Sequence, residues 1–285
     1  MSGRYEDKHL TVRDGLKLHY RDYPGSANRP PLLCLHGLTR NARDFAGLAE
    51  RYSPRFRVLA LEFRGRGDSD YDPQPMRYNP LTYAADVIEL LDQLGIRQAI
   101  FVGTSLGGLV TMTVAATAPD RIAASILNDI GPDVDPEGIN RILSYVGKDV
   151  RFADWDAAGR AIAANYGAAF DRYTHDDWVD MARRNCREID GGIGFDYDMA
   201  IAEPFRASGP TPNVDLWPFF ITLAQKPLLV IRGAKSDLLT EATTARMREV
   251  APTARIAAVA GVGHAPELNE PEAIAAIDDF LESLA

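Results

Sequence analysis

Ala99-Ile100-Phe101-Val102-Gly103-Thr104-Ser105-Leu106-Gly107 decides the fold of this chain. Four apolar residues read as a buried strand, and the run from Leu109 to Ala116 that follows reads as a helix. Ser105 then stands at a sharp turn between the two. Such a turn strains the backbone, so the residues two positions either side must be small, and both are glycine. It lifts the serine hydroxyl clear of the sheet, while the helix behind it aims backbone N–H groups and its positive end at the same space. A bare Gly-x-Ser-x-Gly pattern arises readily by chance, so the strand before it and the helix after it carry the weight.

Outward from this turn the chain keeps a strand–helix rhythm. Residues 9–13 and 16–20, separated by Asp14-Gly15, predict a β-hairpin. A short apolar run at 31–35 predicts a strand buried on both faces, and those at 57–61 and 122–127 predict further strands. Helices fall at 42–51 and from Pro80, with Asn79 as N-cap, to Gly95. A mostly parallel sheet flanked by helices follows. The rhythm stops at Asp129-Ile130-Gly131-Pro132. Residues 136–146, 154–166 and 174–187 are helix-like, with Asp135, Asp154 and Thr174 as N-caps, and no parallel strand is evident between them. Ser208-Gly209-Pro210-Thr211-Pro212 reads as the linker that ends this stretch. The rhythm then resumes with a strand at 227–231, a helix at 241–250 capped by Thr240, a strand at 255–259 and a helix at 271–284. The division is therefore a core of 1–131 with 218–285, and an inserted helical cap of 132–217.

Composition narrows the class. A chain of 285 residues, 46% hydrophobic, can bury a large core. The net charge of −9 and the lack of a basic cluster argue against nucleic acid. No apolar run reaches 18 residues and the first residues lack a secretory pattern, so no membrane partner is expected. With only Cys34 and Cys186, the reducing cytoplasm is the expected compartment. The five histidines are scattered without metal-ligand spacing, so neither metal nor cofactor is expected and the partner is a small-molecule substrate.

Taken together, the elbow, the rhythm and its interruption resemble the α/β-hydrolase superfamily, in its capped, serine-nucleophile branch of esterases, lactonases and C–C hydrolases. The resemblance runs from about His9 to the end and implies a central eight-stranded sheet with an α/β-hydrolase fold. It also implies the order nucleophile, acid, base, met here by Ser105, Asp237 and His264. A serine hydroxyl needs a base within reach. His264 lies in Gly261-Val262-Gly263-His264-Ala265-Pro266, a loop after the last strand, where ligands of parallel sheets sit. His9 and His19 belong to the hairpin, and His175 begins a cap helix. For the acid, Asp237 in Ser236-Asp237-Leu238 is favoured on loop position and family pattern, with Asp129 as the alternative. The oxyanion hole implied by the family is the backbone N–H of Leu38 and of Leu106, with His36 and Gly37 structural. Arg64-Gly65-Arg66-Gly67-Asp68-Ser69 resembles a family loop and is not a phosphate cradle; Glu62 stands where many relatives carry Asp.

A serine at the elbow, in place of the aspartate of haloalkane dehalogenases and epoxide hydrolases, implies acyl transfer at a carbonyl. The leading function is hydrolysis of a carboxylic ester or lactone of a small to medium, partly apolar substrate. C–C bond hydrolysis of a ring-cleavage diketone is the alternative, and a non-enzymatic ligand receptor on the same fold is the third. Trp155, Tyr166, Phe170, Trp178 and Trp217 are the candidates for lining the substrate pocket.

Overall fold

The apolar runs fall side by side in one eight-stranded sheet. The computed structural model describes residues 5–208 and 214–284. Along the chain come β1 (Glu6–Thr11), β2 (Lys17–Tyr23), β3 (Leu32–Leu35), α1 (Ala46–Tyr52), β4 (Val58–Leu61), α2 (Pro80–Gln93), β5 (Ala99–Thr104), α3 (Leu106–Thr117) and β6 (Ile122–Asn128). After an insertion the sheet resumes with α8 (Trp217–Leu223), β10 (Leu228–Gly233), α9 (Glu241–Val250), β11 (Arg255–Val259) and α10 (Pro271–Glu282). The strand order is β1-β2-β4-β3-β5-β6-β10-β11. β2 pairs antiparallel with β1 and β4, and the remaining pairs are parallel. Parallel strands place their C-terminal ends, and the loops that leave them, along one edge.

Alternation of side chains sets the two faces. Leu33, Leu35, Leu59, Leu61 and Phe101 point to the face covered by α2, α3 and α8. Leu32, Cys34, Val58, Ala60, Ile100 and Val102 point to the face covered by α1 and α10. The helix starts follow their caps: Asn79 accepts the Thr82 N–H at 3.0 Å and Thr240 accepts that of Thr243 at 3.0 Å. Such a cap contributes about 1 kcal/mol.

Between β6 and α8 the chain forms α4 (Pro136–Leu143), β7 (Arg151–Phe152), α5 (Trp155–Tyr166), α6 (His175–Asn185), β8 (Cys186–Ile189), β9 (Gly192–Phe195) and α7 (Glu203–Ser208). Asp135, Asp154 and Thr174 cap α4, α5 and α6, the last in a full capping box. The antiparallel sheet β7-β9-β8 goes beyond the helical pattern, because strands of two to four residues are too short to alternate legibly. Ser208 ends α7, and the rest of the linker read there, residues 209–212, lies outside the described residues. The insertion is tied to the core by Asn41 Nδ2 to the Arg184 carbonyl at 2.8 Å, Gly67 N–H to the Asp196 carbonyl at 3.1 Å, and Asp198 N–H to the Gly65 carbonyl at 2.8 Å. Among the described residues no helix is long and apolar enough to cross a membrane.

The elbow shows why its glycines are needed. A Cβ on Gly107 would lie 2.0 Å from the Leu35 carbonyl oxygen, and one on Gly103 would lie 2.5 Å from that of Gly107. Helix α3 therefore starts in direct backbone contact with β3 and β5. Gly107→Ala should destabilise by about 1–3 kcal/mol or more, lowering Tm by several degrees. Gly47→Ala, in α1 with open space around it, should leave Tm level or raise it. Thermal melts of both variants check this, and equal losses would contradict the close approach at the elbow.

Candidate active site

Ser105 adopts φ 52° and ψ −114°, the strained turn its glycine neighbours permit. Its N–H donates to the Asn128 carbonyl at 3.0 Å, which ties the turn to the end of β6. His264, in the loop after β11, brings Nε2 to 2.8 Å from Ser105 Oγ. Asn128 Nδ2 donates to the Pro266 carbonyl at 2.7 Å and so anchors the histidine loop to the same strand end.

The carboxylate that meets His264 is Asp129, 2.8 Å from Nδ1. Asp129 directly follows β6, has φ 56° and is fully buried. A buried carboxylate must be paired, and three donors surround it. Gly233 N–H lies 2.7 Å from Oδ1, and Ser236 Oγ lies 2.6 Å from the Oδ2 that also faces the histidine. With Nδ1 donating to Asp129, the imidazole holds Nε2 free to accept the serine proton.

This corrects the choice of Asp237. Its carboxylate is engaged by Arg141 of α4, with Nη2 2.9 Å from Oδ1 and Nε on Oδ2. Burial works to raise its pKa, but the Arg141 hydrogen bonds and charge hold it below the usual carboxylate range. The neighbouring Ser236 supplies the hydroxyl that reaches Asp129. The legible signal for Asp129 was its place at the end of the strand adjacent to the elbow strand; the partner that removes Asp237 lies 96 residues away in sequence.

Neither the Leu38 nor the Leu106 N–H donates to another group among the described residues, and the Leu38 loop and Ser105 border one cavity. The peptide that carries the Leu38 N–H is held by its carbonyl, since Gly37 O accepts from His36 Nδ1 at 2.7 Å. His36 Nε2 accepts the Phe63 N–H at 3.0 Å. That pair of roles needs a neutral ring, and burial pushes the His36 pKa down to about 4. The next carbonyl, Leu38 O, accepts from Arg66 Nε at 2.9 Å. Arg66 is itself fully buried.

Tyr166 and Phe170 line the cavity; Trp155, Trp178 and Trp217 do not. Trp178 packs against Phe170 and Tyr173 with centroids 5.6 and 4.8 Å apart. Trp155 lies under Arg183 at 5.1 Å, and Trp217 lies under Arg246 at 3.9 Å. Large rings are most stable where they bury most surface, here between helices. The pattern did not single out Tyr145, Arg40 or Arg184, which also line the cavity and come from distant segments.

The fold and the groups gathered at its strand ends define a hydrolase-type site. The model of the alpha/beta hydrolase family matches residues 32–277, and the chain belongs to that family. An alpha/beta hydrolase from Novosphingobium aromaticivorans, known from its crystal structure, is 50% identical with a TM-score of 0.94 over 99% of each chain. The 3-hydroxybutyrate-oligomer hydrolase of Cupriavidus necator is 33% identical over 93% of this chain and 92% of its own. The 2-(acetamidomethylene)succinate hydrolase of Mesorhizobium japonicum is 28% identical over 89% and 88%.

Glu62 is a buried acceptor. Oε1 accepts the Ala42 N–H at 3.1 Å, Oε2 accepts the Asp68 N–H at 2.7 Å, and His19 Nδ1 lies 2.9 Å from Oε2. Burial opposes charge on both side chains, yet their mutual hydrogen bond leaves the His19 pKa raised and the Glu62 pKa lowered. The His19 contribution is complete below the ordinary histidine value of about 6.5 and is lost as pH rises through its raised value. The Glu62 contribution is present above the ordinary glutamate value of about 4.3 and is lost as pH falls through its lowered one. The Tm gap between wild type and Glu62→Gln should therefore be widest near pH 6 and narrow as the pH rises through the raised His19 value. A gap that does not narrow toward alkaline pH in thermal melts would contradict the ion pair between His19 and Glu62.

Proposed function

We propose that this protein is a serine hydrolase that cleaves a carboxylic ester, lactones included, of a small to medium, partly apolar substrate through an acyl-enzyme. The observation that carries this is the unbroken hydrogen-bonded run from Asp129 through His264 to Ser105 at the edge of the cavity. In the reaction Ser105 Oγ attacks the ester carbonyl as its proton passes to His264 Nε2. Asp129 holds the tautomer and stabilises the imidazolium. The developing oxyanion takes hydrogen bonds from the Leu38 N–H in the loop after β3 and from the Leu106 N–H at the start of α3. One such donor is worth about 2.7–4 kcal/mol of barrier in comparable sites. Collapse of the intermediate breaks the ester bond, and His264 returns its proton to the leaving alcohol. Water then repeats the sequence on the acyl-enzyme and frees Ser105.

Residues 132–217 act as the cap. In support, Ile142, Tyr145, Tyr166, Phe170 and Arg184 of that segment share the cavity wall with Ser105 and His264. C–C bond hydrolysis uses the same three residues. Ester chemistry is preferred because the relative named for a 3-hydroxybutyrate oligomer acts, by that name, on hydroxy-acid units, which are joined by ester bonds.

Ser105→Ala should lower kcat/KM for p-nitrophenyl acetate by about 10³-fold or more without changing the melt. Asp129→Asn should lower kcat by about 10⁴-fold, and Asp237→Asn far less. A fluorophosphonate should label Ser105 alone. Labelling elsewhere would end the serine-hydrolase reading, and a dead Asp237 variant beside an active Asp129 variant would reverse the choice of acid.

A further inference from the structure

The loop after β3 that carries Leu38 is bonded only loosely to itself. Arg40 N–H reaches the Gly37 carbonyl at 3.2 Å and Asp44 N–H reaches the Asn41 carbonyl at 3.3 Å, both long for hydrogen bonds. The core grips this loop through His36 on the Gly37 carbonyl and Glu62 on the Ala42 amide. Further grips come from the insertion. The Arg184 carbonyl near the end of α6 accepts Asn41 Nδ2 at 2.8 Å and Arg43 Nε at 2.9 Å. Asp196, just past β9 and buried, accepts Arg43 Nη2 at 2.5 Å. Residues 184–196 thus hold the far half of the loop.

The near half is held through Arg66, and the insertion sets Arg66 too. Residues 196–198 lie antiparallel against residues 65–67. Gly67 N–H donates to the Asp196 carbonyl at 3.1 Å, Asp198 N–H donates to the Gly65 carbonyl at 2.8 Å, and Arg66 and Tyr197 pair between them. The Tyr78 hydroxyl donates to Asp198 Oδ2 at 2.6 Å and fixes the strip to the core. The fit is close: a Cβ on Gly65 would lie 2.8 Å from the Tyr78 hydroxyl, and one on Gly67 would lie 2.1 Å from Glu62 Oε2. From this clamp Arg66 sends Nε to the Leu38 carbonyl at 2.9 Å, with Nη1 on the Arg64 carbonyl and the Tyr83 hydroxyl. A guanidinium is a planar, fixed fork, so it passes its placement on without slack. Arg43, Arg66, Asp196, Tyr197 and Asp198 do not border the cavity.

We propose that residues 184–198 of the insertion are a positioning element for the oxyanion loop, with Asp196 acting through Arg43 and Asp198 acting through Arg66. This rests on the ester hydrolysis argued above and extends it, since the insertion then sets the rate of the chemical step as well as the choice of substrate. The Leu38 N–H has to meet charge that exists only in the transition state, and it does so cheaply only if it is already in place. A displacement of about 1 Å caused far from the reacting atoms can cost about 10²-fold in rate. Asp196 and Asp198 touch no part of the cavity, so loosening them should spare substrate binding and slow its conversion.

The test measures Asp196→Ala, Asp196→Asn and Tyr78→Phe with p-nitrophenyl esters from acetate to octanoate. In Asp196→Ala and in Tyr78→Phe, kcat should fall by about tenfold or more on every ester, acetate included. KM should stay within about twofold and the order of preferred acyl lengths should not change. Asp196→Asn keeps an acceptor for Arg43 and should recover most of the rate. Phenylboronic acid, which takes the Ser105 oxygen onto boron to form a tetrahedral anion, should lose affinity in proportion to kcat. Tyr78→Phe keeps the ring and decides the matter if thermal melts show that Asp196→Ala does not fold. Unchanged kcat in the folded variants, or a loss confined to KM or to one range of acyl lengths, would overturn the positioning role. Wild type that neither cleaves these esters nor reacts with a fluorophosphonate would instead overturn the ester chemistry on which it rests.

Discussion

A carboxylate sealed from water is tolerated only where donors replace the water, and the arrangement around Asp129 follows from that constraint. Its donors come from three places: the end of β10 at Gly233, the loop behind it at Ser236, and the loop after β11 at His264. These meet because β6, β10 and β11 are neighbours in a parallel sheet and release their loops at the same edge. The approach is close. A Cβ on Gly233 would lie 2.3 Å from the Gly263 carbonyl oxygen, so the histidine loop rests directly on the strand end. The positive φ of Asp129 is the local strain that turns its side chain into this nest, offset by the hydrogen bonds it gains.

The Leu38 side of the cavity is also fixed by buried groups, although Arg66 Nη2 has no hydrogen-bond partner among the described residues. His36 holds one peptide carbonyl and Arg66 holds the next, while Glu62 ties the Ala42 and Asp68 amides behind them. Arg66 has no carboxylate in ion-pair distance among the described residues. Its guanidinium is held by the Leu38 and Arg64 carbonyls, the Tyr83 hydroxyl and the faces of Tyr78 and Tyr83. Donors that do not move when charge develops are the ones that lower a barrier, because no reorganisation is then required. A neutral, buried His36 suits such a frame, since its two nitrogens have different tasks and a charged ring would lose the Phe63 amide.

What was legible in the sequence was local. Short continuous apolar runs placed the strands, Gly-x-Ser-x-Gly placed the turn, and Asn79-Pro80, Asp135, Asp154, Thr174 and Thr240 placed helix starts within a residue. What escaped was decided by direction and by distant partners. Asp129 and Asp237 both follow sheet strands near the base, and spacing does not tell which turns toward it. The positive φ at Asp129 and the grip of Arg141 on Asp237 do. The three tryptophans, candidates for the pocket wall, instead pack against Phe170 and Tyr173 or beneath Arg183 and Arg246. Glu62 gave no sign of its role because two of its partners are backbone amides, which no residue type reveals, and the third, His19, is 43 residues away.

The cavity's composition bears on how the protein selects. Leu38, Ile142, Phe170, Met181 and Leu268 give it apolar walls. Apolar walls discriminate weakly, since one methylene more or less in such a pocket is worth only about 1–3 kcal/mol. A buried donor built to meet an acceptor discriminates far more, because the wrong ligand leaves it unpaired. The wall formed by Arg40, Asp44, Arg184 and Glu267 is already internally matched and gives a ligand little to complete. Selection by these apolar walls should therefore be lenient toward chain length.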